Sequence, residues 1–387
     1  MIKKIFSKII LLPFLIPIIY RIKFPIKNFG NINLLDLVLL LSIVFGLILI
    51  YQEKNWQNFK KYLSTNKLIT TTSFFLFFGL FSLAINFETN GLENLSLFKS
   101  YFILPIFFAI IISYFLKTNK LSHWSFFYCY LIYSSTLAFL TIVFRLINQQ
   151  TYDGRIQLFF DSPNQLAIAL SLGIISGAIV FFHKNSKKGL FVILLILLTA
   201  LLLTKSAGAT LAVVLTLLFI YSKKIALKSN FFLKIIIFLS LFLIGISFFL
   251  SPFLTKIDYN PFLNRNSLDS RLVIQLSTQK IISANFLTGI GLANFQTKYL
   301  EKQTDFPPYP QWAVPHSHNL FTQIWLSFGF FGFLIWLYLL FQKTTFSKNL
   351  PSKITLYFLL YFLIHGLVDV PIWSNDQALF FWFIFFL

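Results

Sequence analysis

Residues 315–334 read PHSHNLFTQIWLSFGFFGFL. Two histidines, His316 and His318, stand at the edge of an apolar run of the length that crosses a bilayer. At 3.6 residues per turn, a helix starting near His318 carries Gly329 round about three turns later. His318, Gly329 and Gly332 are therefore expected to share roughly one face. Two small residues on that face would let another helix pack closely, while the polar end would hold an imidazole at the water boundary. The stretch reads either as a helix start with a packing seam or as a functional histidine presented by a membrane helix.

Runs of this kind recur from one end of the chain to the other. Of its 387 residues 57% are hydrophobic and only 11% charged, with a mean hydropathy of +0.77, whereas soluble domains are about a quarter charged. The expected fold class is all-α, a polytopic transmembrane helical bundle of about twelve helices. They are expected at about 5–20, 33–51, 68–86, 95–116, 122–147, 163–182, 189–204, 207–221, 231–250, 319–341, 354–370 and 375–387. Residues 1–387 then form a single integral membrane domain, with 251–318 as a loop subdomain between the ninth and tenth helices. The runs are continuous rather than alternating, which excludes a barrel. The single cysteine, Cys129, lies inside an apolar run, so neither an internal disulfide nor a Cys-based metal site can form.

A formal charge of +20 would point to nucleic acid in a soluble protein; here its distribution says otherwise. If the N-terminus is cytoplasmic, the inner connections near 52–67, 117–121, 183–188, 222–230 and 342–353 carry lysine after lysine against a single acid, Glu53. That is the positive-inside pattern, broken only by Arg21, Lys23 and Lys27 after a short first helix. Lys3, Lys4 and Lys8 before an apolar core resemble a signal peptide, but no small-residue cleavage site follows, so the segment is expected to stay as an anchor. The inner connections leave no room for a cytoplasmic catalytic domain, and no Gly-rich phosphate loop with Lys-Ser/Thr is present.

Chemistry is therefore expected at the outer ends of the helices, on loops held by a rigid scaffold. Three outer segments qualify: about 148–162, the tight turn around 203–210, and about 251–318. The chain uses lysine almost throughout, yet all five arginines (Arg21, Arg145, Arg155, Arg265 and Arg271) fall outside the inner connections. A planar guanidinium binds phosphate bidentately as lysine cannot, which makes Arg155, Arg271 and Arg265 candidates for an anionic ligand. The plainer reading is surface ion pairs with Asp153, Asp161 or Asp269.

The outer carboxylates are scattered, with no D-x-D pair to hold a divalent metal on a sugar diphosphate. On a helix, His316 and His318 would point to opposite sides, so no metal is expected from the pair. Asp369, in LIHGLVDVPIW, is placed at the outer end of the eleventh helix, where it could orient an imidazole or merely face headgroups. His365, one turn earlier, is expected to pack inside the bundle.

The pattern of His318-Asn319, nine residues, then GFFG at 329–332, after a long outer loop, resembles the bacterial O-antigen ligase and polymerase superfamily. GRIQLFFDSPNQLAIAL at 154–170, SRLVIQLSTQKIISANFLTGIGLANF at 270–295 and HGLVDVPIW at 365–373 fit in the same order. The resemblance spans about 150 to the C-terminus; before that it extends only to helix number and hydrophobicity. It implies a twelve-helix inner-membrane glycosyltransferase with a large periplasmic loop. Such an enzyme moves a glycan from undecaprenyl diphosphate to a lipid A-core sugar or to another lipid-linked glycan, without metal or cofactor and with inversion. Carried over, His318 and Asp369 are the catalytic pair, Arg271 the loop arginine, and His316 and Asn319 acceptor-side or supporting residues. One position departs: the tight turn reads TKSAGA at 204–209, with Ala207 where the family usually has arginine, so Lys205 or Arg155 is expected to supply the charge toward the diphosphate. The implied partners are the lipid-linked donor, the glycan acceptor and membrane lipids, with no nucleic acid. A polymerase would share these residues and differ in acceptor. A lipid or solute transporter would call for paired broken helices or ionisable residues at mid-membrane, and neither is evident in the sequence.

Overall fold

Backbone groups in hydrocarbon must be satisfied within their own segment, and the apolar runs close into helices accordingly. The computed structural model describes residues 12–14, 23–26, 30–151, 153–183, 188–222, 267–306, 313–345 and 350–387. A short antiparallel hairpin, β1 Lys23–Ile26 and β2 Gly30–Asn33, leads into α1 Leu34–Gln52, α2 Trp56–Thr65 and α3 Lys67–Ile85. Next come α4 Gly91–Lys117, which contains one π turn at Lys99–Ile103, then α5 His123–Leu146, α6 Pro163–His183, α7 Lys188–Leu203 and α8 Ala207–Ser222. The C-terminal part holds α9 Ser267–Ala284, α10 Phe295–Lys302, α11 Leu320–Thr345, α12 Leu350–Gly366 and α13 Asn375–Phe386.

Six of these helices are long and apolar enough to cross a membrane: α1, α3, α4, α5, α6 and α11, with shorter apolar helices in α7 and α8. The chain is a multi-pass helical membrane protein. The segments expected as helices at 231–250 and, apart from the turn Leu12–Phe14, at 5–20 lie outside the described residues.

Four local expectations are corrected. The connection 52–67 contains a helix, α2, with Phe59 and Tyr62 on its buried side and charged residues opposite. Its apolar residues are too few to read as a span, so hydropathy passes over it. The loop 251–318 contains α9 and α10, whose polar composition hides them in the same way. The eleventh expected helix ends at Gly366, so Asp369 sits in the turn beyond it. Finally, the run 319–341 is not one continuous helix.

That last correction concerns Gly329, whose φ of 70° and ψ of −180° interrupt α11. A Cβ there would lie 2.2 Å from the Leu287 carbonyl oxygen. The break lets the loop after α9 pair with α11: Ile290 N–H donates to Leu326 O at 2.6 Å, and Phe330 N–H donates to Leu287 O at 3.2 Å. Gly329 thus marks a backbone junction and shares no helical face with His318, which precedes the helix. Gly332 does lie at a close seam, its Cβ position 3.3 Å from Phe78 Cβ of α3.

The bundle is organised around α6, 83% buried over its apolar window. Its small residues permit this: Gly173 abuts Ser134 of α5 so closely that a Cβ would sit 2.2 Å from Ser134 Cβ, and the Ser134 hydroxyl donates to Ala169 O. Close α5–α6 packing folds the 148–162 connection over one end of the bundle. There it meets the turn between α7 and α8, while Asn164 at the start of α6 meets the turn after α12, which also holds the start of α11.

Candidate active site

Arg155 begins the assembly. Its Nε donates to Thr204 O at 2.8 Å and one terminal nitrogen to Asn164 Oδ1 at 2.6 Å, while the other lies 3.9 Å from Asp153. The carbonyl it grips belongs to the tight turn before α8, which Thr204 shapes by donating its hydroxyl to Leu201 O and accepting from Ser206 N–H. Lys205 projects from this turn and donates to Asp153 O at 3.4 Å. Ala207 follows, exposed.

Asn164 stands at the start of α6, directly after Pro163, whose fixed φ suits a first helical position. Its side-chain amide donates to Asp369 Oδ2 at 3.0 Å. The other carboxylate oxygen, Oδ1, accepts from Val370 N–H at 2.8 Å and lies 3.3 Å from His318 Nδ1. Asp369 is only 5% exposed. Burial alone would raise its carboxyl, but the hydrogen bond with His318 holds it well below the usual carboxylate range. In the tautomer with Nδ1 protonated, Asp369 accepts from Nδ1–H of His318 and Nε2 keeps its lone pair.

His318 is held in place by the start of α11. Asn319 caps that helix, its Oδ1 accepting from Phe321 N–H and Thr322 N–H at 3.0 and 3.1 Å. Its amide donates to Leu367 O at 3.2 Å, tying the cap to the turn that carries Asp369. Asn319 therefore positions the pair. His318 itself has φ of 51°, a left-handed backbone conformation just before the helix. The His316 ring meets it edge-on, centroids 4.5 Å apart. Burial, then the charges of His318 and Arg271, push the His316 imidazole down to about 3 against the opposing pull of Asp369, so it is neutral near pH 7.

Arg271 reaches the group from α9. Gln275, one turn on and on the same face, donates to Ser317 O at 2.6 Å and so fastens α9 to the histidine loop. The Arg271 charge is felt at both His316 and His365. Among the described residues its guanidinium has no hydrogen-bond partner, whereas Arg155 is occupied. His365 is buried and pairs with Tyr361, its Nδ1 3.0 Å from the hydroxyl. Of the residues singled out by sequence, His318, Asp369, His316, Asn319, Arg155, Lys205 and Arg271 come together at this end. Arg265 lies outside the described residues. Asn164, Gln275 and Ser317 were missed. An amide beside a proline reads as an ordinary helix start, and only the fold joins it to Asp369.

His316, His318 and Asp369 also offer one ligand atom each, all within 4.8 Å of one another, and could hold a metal ion. The helix geometry that spoke against a His316–His318 site does not apply, because both residues precede α11. The neighbouring Arg271 charge disfavours a further cation there.

The site lies at the ends of α6 and α11 opposite their basic ends, for the lysine-bearing connections follow His183 and Gln342. Comparison with known families matches residues 190–337 to the O-antigen ligase family. The match runs from α7 into α11 and includes Lys205, Arg271, His316 and His318; Arg155, Asn164 and Asp369 lie outside it. It supports the O-antigen ligase and polymerase superfamily as the one this chain resembles. No curated protein matches the chain.

Proposed function

We propose, starting from that ligase segment, that the protein is an O-antigen ligase-like glycosyltransferase of the bacterial inner membrane, working at its periplasmic face. It moves a glycan from undecaprenyl diphosphate to a lipid A-core sugar, with inversion and without metal. The observation that carries this reading is the unbroken polar chain from Arg155 through Asn164 and Asp369 to His318.

In this scheme His318 is the general base. Asp369 fixes its Nδ1–H, and Nε2 takes the proton of the acceptor hydroxyl as that oxygen attacks the anomeric carbon, a contribution of roughly 10²–10⁴ in rate. The diphosphate leaves as an anion, and Arg271 with Lys205 neutralises the charge that develops on it. Arg155 holds the turn and Asn164 in place with two of its five donors and adds its charge toward the diphosphate. Arg265 is proposed as a further cation toward the donor's diphosphate.

The test is glycan transfer by His318→Ala in membranes containing wild-type amounts of protein. Transfer should be abolished; near-normal transfer would overturn the assignment. With purified protein, lipid-linked donor and lipid A-core together, capped lipid A-core identifies a ligase, and long chains built on the donor lipid identify a polymerase.

A further inference from the structure

At the opposite, basic end the packing leaves a wedge. Helix α3 packs on α11 while α1 packs on α4, and α2 crosses between the two pairs. The result is a groove of about 1090 Å³, walled by apolar side chains such as Ile43, Leu47, Phe77 and Ile110, with Trp56 and Lys60 among those lining it from α2. It follows α3 from Ile69 to Phe78, about 13 Å at 1.5 Å per residue. That is close to the ~15 Å depth of one leaflet of hydrocarbon.

The charges at this end are one-sided. Lys54, Lys60, Lys61 and Lys67 surround α2, and the one acid nearby, Glu53, is taken by an ion pair with Lys120. Lys60 Nζ lies 5.9 Å from the centroid of the Trp56 ring, an aromatic of the kind found at headgroup level. A short amphipathic helix with aromatics on one side and lysines on the other lies in a membrane interface.

We propose that this groove is a binding site for an anionic phospholipid, one acyl chain lying between α1, α3 and α4 and the phosphate headgroup resting on Lys60. The apolar walls supply affinity for the chain, and the unbalanced lysines select negative over zwitterionic headgroups. The donor's diphosphate is excluded as the occupant of this mouth, because the candidate active site sits at the other end of the bundle. The proposal stands independently of glycosyl transfer.

The experiment is native mass spectrometry of the full-length protein, delipidated in detergent and titrated with phosphatidylglycerol or phosphatidylethanolamine. One phosphatidylglycerol should bind preferentially, and Lys60→Ala should weaken it about fivefold without changing the weaker phosphatidylethanolamine adduct. Lys60 is exposed, so this variant keeps the fold. Leu47→Trp, which fills the groove, should remove the preferred site for both lipids. Equal binding of the two lipids, indifference to Lys60→Ala, or displacement by undecaprenyl phosphate would each overturn the proposal. So would dimers that close the groove and bind no lipid.

Discussion

Asn164 separates a guanidinium from a carboxylate that would otherwise meet directly. Its amide accepts from Arg155 on one side and donates to Asp369 on the other, so each charge is satisfied without the two neutralising each other. Asn164→Asp keeps the acceptor for Arg155 but sets a second carboxylate about 3 Å from Asp369, where the two must share a proton. Transfer by this variant should fall by about 10²-fold at neutral pH and recover on the acid side, a displacement of the pH–rate profile that a purely structural loss would not produce. His316 gives a second prediction at this scale. Its unfolded imidazole titrates near 6.5 and its folded one near 3. Between those values the unfolded chain binds the proton and the folded one does not, so stability falls as pH drops through that window. Asp369, held low, loses its contribution only below the usual carboxylate range. The melting temperature should therefore drop between pH 7 and 4.5, and His316→Gln should flatten that slope. The residue types were legible in the sequence, since a histidine, an arginine and an aspartate stand out at helix ends in a lysine-rich apolar chain. Their partners were not, because Asn164 and Gln275 acquire meaning only from neighbours 205 and 42 residues away.

Helix α11 shows what hydropathy can and cannot report about an element. The run from Leu320 onward is apolar throughout, and its place as a membrane helix was plain. Its break was hidden, because a glycine inside an apolar run reads equally well as a packing seam and as a turn. The φ and ψ of Gly329 belong to a region open essentially to glycine alone, worth about 1–3 kcal/mol of strain for any other residue. The Leu287 oxygen also occupies the Cβ position, and Gly289 meets the Leu326 oxygen from the other side. Gly329→Ala should therefore lower the melting temperature and loosen the α9–α11 junction, exposing the amides of Ile290 and Phe330 to hydrogen exchange. Because α9 carries Arg271, transfer should weaken with it, whereas Gly189→Ala, at a position with open space around it, should leave both unchanged.

At the scale of the molecule, the two proposed sites occupy opposite ends of one bundle. Helix α6 alone spans about 31 Å at 1.5 Å per residue, with Asn164 near its first turn and His183 at its last. Lysines gather at the second end, and the candidate site at the first. A transporter would need this polar assembly to open to both sides, yet the charged side chains of the site stop at the helix ends, and the centre of α6 is lined by small and aliphatic residues. The arrangement fits the proposed enzyme working on one surface, and the lysine pattern supports the proposal that this surface is the non-cytoplasmic one. Having a single native cysteine makes this directly measurable. In a Cys129→Ser background, Gln149→Cys lies on the connection that carries Arg155, and Thr65→Cys lies at the end of α2; both positions are exposed. A membrane-impermeant maleimide added to intact spheroplasts should label Gln149→Cys at once and Thr65→Cys only after the membrane is disrupted. The reverse pattern would put His318 on the cytoplasmic side, away from any periplasmic acceptor, and the proposed glycosyl transfer would have to be abandoned with it.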